Sequence, residues 1–362
     1  MNRRFAIAVV LLWALVACQP VVVEAAAKIA AKPVSAPDAG LVIGEFELAS
    51  EPVVDGDTIK VMGLDKSLRL LGIDAEETFK NEADRLASSQ DWELYLKNKR
   101  HESLRPVKMA TPLGEEAKAF AKEFFKGVTK VRLERDHTQE IRDRYHRYLA
   151  YILVERDGQS LNYNVECVRA GLSPYFMKYG YARRYHDAFV TAAAEAKMAG
   201  RGIWDAGKQH YPDYPERLAW WEARAQFVQA FERAHPDSEG GVVLSRADAE
   251  ATLRAAVGKE VWVLGTVAKI QETKGPTLVL LGMRPGLDLP LVFFDKGVLL
   301  NSRLLAASGE FVAARGVVSL YKNQKRQSEE LQIQILDPGQ VTSTVAKDAP
   351  MEAPTAAGDA DD

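Results

Sequence analysis

Two breaks constrain what this chain can fold into. Tyr211-Pro212-Asp213-Tyr214-Pro215 interrupts any regular element, and Ser238-Glu239-Gly240-Gly241 reads as a joint. Between them Leu218, Trp221, Ala225 and Val228 recur at helical spacing, with Trp220, Phe227 and Phe231 beside them, up to His235-Pro236-Asp237. The expectation is two folded bodies joined by a linker helix over 209–238. With 362 residues, 47% of them hydrophobic and 27% charged, the chain has apolar material for packed cores, which excludes disorder over most of its length. No internal repeat is visible.

The ends carry different signals. Arg3 and Arg4 precede a thirteen-residue apolar run, Phe5 to Ala17, too short to span a bilayer as a mature helix. It ends Leu15-Val16-Ala17-Cys18, which resembles the lipobox of bacterial lipoproteins. That resemblance implies cleavage after residue 17, lipidation of Cys18 and a lasting membrane anchor, in the outer membrane if the envelope is Gram-negative. An ordinary export signal cleaved near Ala25-Ala26-Ala27 is the alternative. Residues 18–40, rich in Ala, Val and Pro, read as a tether. At the other end, 342–362 is expected to be a disordered acidic tail, and its carboxylates mask a slightly basic body behind the formal charge of −3. The remaining cysteine, Cys167, lies among Val165, Val168 and Leu172 at helical spacing and reads as a buried thiol. A lipidated chain then has no pair for an intramolecular disulfide.

Three segments between 41 and 208 carry chemistry. Two β-rich runs flank Asp55-Gly56-Asp57. Leu68-Arg69-Leu70-Leu71-Gly72-Ile73 leads into Asp74-Ala75-Glu76-Glu77. Asp143-Arg144-Tyr145-His146-Arg147 feeds an aromatic and aliphatic strand. Each alone is a turn or a solvated loop. If Asp57, Asp74 and Glu77 are neighbours they repel by several kcal/mol at an effective dielectric of about 20. A hard divalent cation removes that cost, and arginine forks such as Arg69 and Arg147 match phosphate oxygens. Carboxylates with a cation and two arginines suit attack on a phosphodiester. The six histidines show no paired ligand spacing, and there is no Gly-rich phosphate loop or Gly-x-Ser-x-Gly elbow.

These segments, with Gly114-Glu115-Glu116-Ala117, Leu161-Asn162, Val168-Arg169-Ala170-Gly171-Leu172 and Gly202-Ile203-Trp204, resemble the staphylococcal nuclease (thermonuclease) family in its order, over about 50 to 206. The resemblance implies an α+β, mainly β fold: a five-stranded Greek-key barrel of the OB type with helices packed on it. It implies that Asp57, Asp74 and the carbonyl of Ala75 ligate Ca²⁺, that Glu77 is the general base, and that Arg69 and Arg147 clamp the scissile phosphate. Tyr145, and less directly Tyr175, would lie against the nucleotide. The family reaction cleaves DNA or RNA, single strands preferred, and leaves 3′-phosphate ends. This chain departs from the family pattern where Glu76 replaces a proline, a change expected to loosen the turn and offer a competing carboxylate. His146 replaces a glycine in the basic turn. An insert over 78–112 holds seven Lys/Arg against five acids, with a helical look from Asp91 to His101. It reads equally as a lid or nucleic-acid contact and as a solvated surface helix. Ala117 to Phe125 and Asp187 to Met198 are expected helices, and Trp204 an end-of-domain core residue.

The region 239–341 has strand-like runs at Glu260–Ile270, Thr277–Gly282, Leu289–Phe294, Phe311–Tyr321 and Leu331–Leu336, with a helix over Leu299–Ala306. Ser245 to Asp248 fits a helix cap, and Gly265 and Gly316 fit bulges or bends. Five strands with a helix after the third is the order of OB domains, and Gly258-Lys259-Glu260-Val261-Trp262-Val263 resembles the opening of those that bind nucleic acid. Phe293, Tyr321, Lys322, Lys325 and Arg326 would form its strand-binding face, and a plain protein-interaction barrel is the alternative. The whole reads as an exported, membrane-anchored Ca²⁺-dependent nuclease. A catalytically silent nucleic-acid-capture lipoprotein and an envelope interaction module stay open.

Overall fold

The structure, a computed structural model, describes residues 40–345 apart from 102, 104, 105, 285 and 324–326. The signal-like segment, Cys18, the tether to residue 39, Lys325, Arg326 and the tail from 346 lie outside the described residues. No helix among the described residues is long and apolar enough to cross a membrane.

The first sheet is organised by β1 (Val42–Val53), which pairs antiparallel with both β2 (Ile59–Val61) and β4 (Lys130–Glu134). β4 pairs with β5 (Tyr148–Arg156), and β5 pairs parallel with the short β3 (Leu68–Leu70) and antiparallel with β6 (Gln159–Asn162). β5 is buried from Ala150 to Val154 instead of alternating, because both its faces are covered. Helices α4 (Tyr163–Arg169) and α5 (His186–Met198) lie outside it. Asn162 caps α4 through its side chain. The buried Asn164 accepts from Ile152 N and donates to the carbonyls of Leu71 and Ala150, joining β5 to the end of β3. Cys167 is fully buried, as expected.

The insert forms two helices, where one helical stretch was expected: α1 (Glu82–Gln90) and α2 (Trp92–Arg100). Asp91 ends the first and its carboxylate caps the second, which makes the corner. Tyr95 is buried, stacks on Trp92 and donates to Ala110 O, so the insert folds onto its own return leg. That leg enters α3 (Pro112–Phe124), capped by Thr111, with Ala117, Ala121 and Phe124 turned inward.

Helix α6 (Tyr214–Ala234) spans 21 residues, about 32 Å. It packs on both bodies along its length. Trp221 meets Phe176 of the first at 4.8 Å, while Val228 and Phe231 join Val243, Leu264, Phe311 and Ala313 of the second. Arg224, 1% exposed, bridges the two, with Nε on Lys178 O at 2.6 Å and Nη1 on Glu310 Oε2 at 2.7 Å.

The second sheet contains β7 (Gly241–Val243), β8 (Glu260–Glu272), β9 (Thr277–Arg284), β10 (Leu287–Phe293), β11 (Phe311–Asn323), β12 (Ser328–Gln334) and β13 (Val341–Ser343). The ring β8-β9-β10-β12-β11 closes through β11–β8, with β10 and β12 parallel and α8 (Lys296–Ser302) between β10 and β11. This is the expected OB strand order. The first sheet repeats its connectivity: β1–β4 matches β8–β11, and parallel β3–β5 matches parallel β10–β12. Gly265 and Gly316 are close-approach positions, where a Cβ would meet Leu244 and Ile333 at 2.7 and 2.5 Å. The register shift in β8 lies between Val267 and Lys269 instead. Ser245 does not cap α7 (Ala249–Ala255); its hydroxyl donates to Glu140 of the first body. Phe293 is 2% exposed and belongs to the core, because its side chain alternates inward, so it is no part of a binding face. Tyr321 and Lys322 are exposed, and Lys322 pairs with Glu329.

Candidate active site

Three of the quoted motifs converge at one point because small residues let their backbones touch. A Cβ on Gly56 would lie 2.6 Å from Ala117 Cβ and 2.8 Å from Ala75 Cβ. A Cβ on Gly114 would lie 2.1 Å from Glu77 O. The Asp55–Asp57 turn, the acidic turn after β3 and the first turn of α3 are therefore in contact, and larger side chains would force them apart.

Asp57 Oδ2 accepts from Ala75 N at 2.9 Å, and Asp74 N donates to Ser173 Oγ at 2.8 Å. The Ala75 N–H is thus tied to the Asp57 carboxylate. Asp74 is buried, and its Oδ1 takes Arg69 Nη2 at 3.2 Å and Lys108 Nζ at 3.1 Å. Burial, and then the charge of Asp74, push the Asp57 carboxyl up to about 7, with Arg69 acting the other way. Burial also raises Glu77, opposed by Lys108. The Arg69 guanidinium lies over the Phe176 ring at 5.3 Å, which fixes its plane.

Glu76 is not a competing carboxylate. It is 1% exposed and turned away, accepting from Thr111 Oγ1, from Tyr211 N at 2.8 Å and from Tyr214 OH at 2.8 Å. The turn that lacks proline is held by these bonds. Glu77 is fixed through its own backbone: Thr111 N donates to Glu77 O, and Glu77 bridges Ala110.

The basic turn stands at the N-terminal end of β5. Asp143 organises it, with Oδ1 accepting from Tyr145 N and Arg147 N, and Oδ2 accepting from Arg147 Nε at 2.7 Å. His146 has φ +65°, the left-handed conformation that explains why glycine usually stands there. Arg147 directly precedes β5, in which Leu149 pairs with Arg69. Tyr145 is 44% exposed, with the Arg144 and Arg147 guanidinium groups over its ring. Tyr175 is not: it is buried, its ring stacked on Phe189 at 4.7 Å and its hydroxyl on His186 Nδ1. The exposed ring in that segment is Tyr179, which contacts Phe176 edge-on. The structure therefore brings together Asp57, Asp74, Ala75, Glu77 and Arg69, holds Arg147 and Tyr145 within the basic turn that leads into β5, and buries Tyr175. Sequence reasoning missed Lys108, Ser173, Phe176 and Tyr179. Only the aromatic content of 175–179 signalled any of these.

Among the described residues, no three His, Cys, Asp or Glu side chains are grouped closely enough to hold a metal ion. The Asp57 and Asp74 carboxylates are oxygen donors of the type a hard divalent cation takes, and such a cation would need water to complete its shell. Burial first, and the charge of Asp74 second, make the ionised Asp57 costly, and a bound cation would offset both.

A family profile described as staphylococcal nuclease homologue matches residues 67–206. An uncharacterized protein of Methanocaldococcus jannaschii is 33% identical over 161 residues, 42% of this chain and 69% of the relative. The chain belongs to the staphylococcal nuclease homologue family. A thermonuclease of Staphylococcus hyicus is 29% identical over 155 residues, covering 42% of this chain and 72% of that protein. The matched span holds Arg69, Asp74, Glu77 and Arg147. Asp57 precedes it, and the Tyr211 and Tyr214 anchors of Glu76 follow it. At a coarse level this membership supports a nuclease-type hydrolase or a nucleic-acid-binding protein.

Proposed function

We propose that this protein is a Ca²⁺-dependent nuclease that hydrolyses DNA or RNA, single strands preferred, to 3′-phosphate ends. We place it outside the cytoplasmic membrane, anchored through lipidated Cys18. The observation that carries the catalytic reading is the convergence of Asp57, Asp74 and Arg69 on one turn, with Arg69 3.2 Å from Asp74. A bound Ca²⁺, held by Asp57, Asp74 and the Ala75 carbonyl, would supply a Lewis acid to the phosphate. Glu77 takes a proton from the attacking water, and its burial makes it a stronger proton acceptor. Arg69 and Arg147 neutralise the charge growing on the phosphate oxygens as the 5′-oxygen departs. Tyr145 stacks on a neighbouring base. Export and anchoring rest on the N-terminal sequence, and millimolar Ca²⁺ outside the cell suits a weak carboxylate site.

The test is digestion of single-stranded DNA and RNA by the full chain with Ca²⁺ or with chelator. Arg69→Ala and Glu77→Ala should each slow Ca²⁺-dependent cleavage roughly 10²-fold or more. The capture reading draws on one observation, the bond that turns Arg147 toward Asp143. DNA binding by a folded wild-type protein that yields no product would select it.

A further inference from the structure

We infer that Lys108 is a tethered counter-ion of the Asp57–Asp74 pair, and that through it the 78–112 insert sets how tightly the site binds a divalent cation. The inference rests on the metal reading above. Lys108 Nζ lies 3.1 Å from Asp74 Oδ1, the oxygen that also takes Arg69 at 3.2 Å. Asp74 is buried, so these charges are weakly screened.

The lysine does not arrive on a loose loop. Its neighbour Met109 is held by Tyr211 on both sides, Met109 N to Tyr211 OH at 3.0 Å and Tyr211 OH to Met109 O at 2.9 Å. Val107 O accepts from Arg217 Nη2, and Ala110 O accepts from Tyr95 OH. The backbone from 107 to 110 is thus fastened to the start of α6 and to α2, which aims the ammonium at Asp74. A cation on Asp74 at about 2.4 Å would have to share an oxygen with this ammonium, and the two would repel. Arg69 repels as well, but its guanidinium is pinned by Phe176. Lys108, on a flexible four-carbon stem, is the group that gives way.

Calorimetric titration of Ca²⁺ into the chelator-treated full chain tests this. Lys108→Met should bind Ca²⁺ roughly tenfold tighter or more than wild type. Lys108→Arg, which keeps the charge, and Lys99→Met, which removes a charge paired with Asp84, should stay near the wild-type affinity. Wild-type binding that Lys108→Met leaves unchanged or weakens overturns the inference and leaves the metal reading standing. Binding by neither protein overturns both.

Discussion

The cost of burying the Asp57 carboxylate beside Asp74 is measurable as a pH-dependent loss of stability in the metal-free protein. Replacing Asp57 by Asn keeps an oxygen for Ala75 N–H and removes only the charge. Folding raises the carboxyl from 3.8 to about 7. A raised carboxylate contributes nothing adverse below about 4, where it is protonated in both states. Stability is lost as pH climbs from 4 to 7, because the unfolded chain ionises freely and the folded one does not. At about 1.36 kcal/mol per unit, the penalty is roughly 1–2 kcal/mol at pH 5 and approaches about 4 kcal/mol at pH 8. Denaturant unfolding in chelator should therefore show Asp57→Asn equal to wild type near pH 4 and more stable at pH 8. Added Ca²⁺ should restore the wild type and not the variant. A variant no more stable than wild type at pH 8 in chelator would refute the claim that the Asp57 charge is held at a cost set by its burial and, second, by Asp74.

Arg224→Ala leaves Glu310 beside Trp220 and Thr344 without its guanidinium. Removing the buried guanidinium while Glu310, 18% exposed, keeps its other donors should cost about 1–3 kcal/mol, read as a lowered denaturation midpoint. His146→Gly should do the opposite, stabilising by about 1 kcal/mol, because a side chain at φ +65° is strained and this one is exposed. Thermal melts of the variant read that gain.

What the sequence made legible were the local devices. Asp-Gly-Asp, the acidic turn and the Gly114 motif could be read one by one, and the OB order of the second body followed from five apolar runs with one helix after the third. The reason for Gly56 and Gly114 was not readable, since it lies in a contact among three distant segments. Glu76 was misjudged for the same reason: its partners stand 135 and 138 residues further on. Lys108 was one of seven basic residues in the insert, and nothing local marks it out. Tyr175 and Phe293 fail alike: each is an aromatic residue of a suggestive segment, and packing left another ring of that segment exposed, Tyr179 in one and Phe294 in the other. The shared connectivity of the two barrels left no repeat because it needs only apolar periodicity, which many sequences satisfy.

The bonds from Glu76 to Tyr211 and Tyr214 also order events in time. A growing chain presents the strands of the first barrel well before residue 214 exists. The acidic turn then has its neighbours from α3 but lacks two of the three donors that bury Glu76. At roughly 5–20 residues per second, synthesis of the 138 residues from Glu76 to Tyr214 takes on the order of 7–30 s. For the last part of that interval, once β6 has ended at Asn162, the chain has its barrel strands without a finished acidic turn. Completion of the turn thus belongs to the late steps of biogenesis.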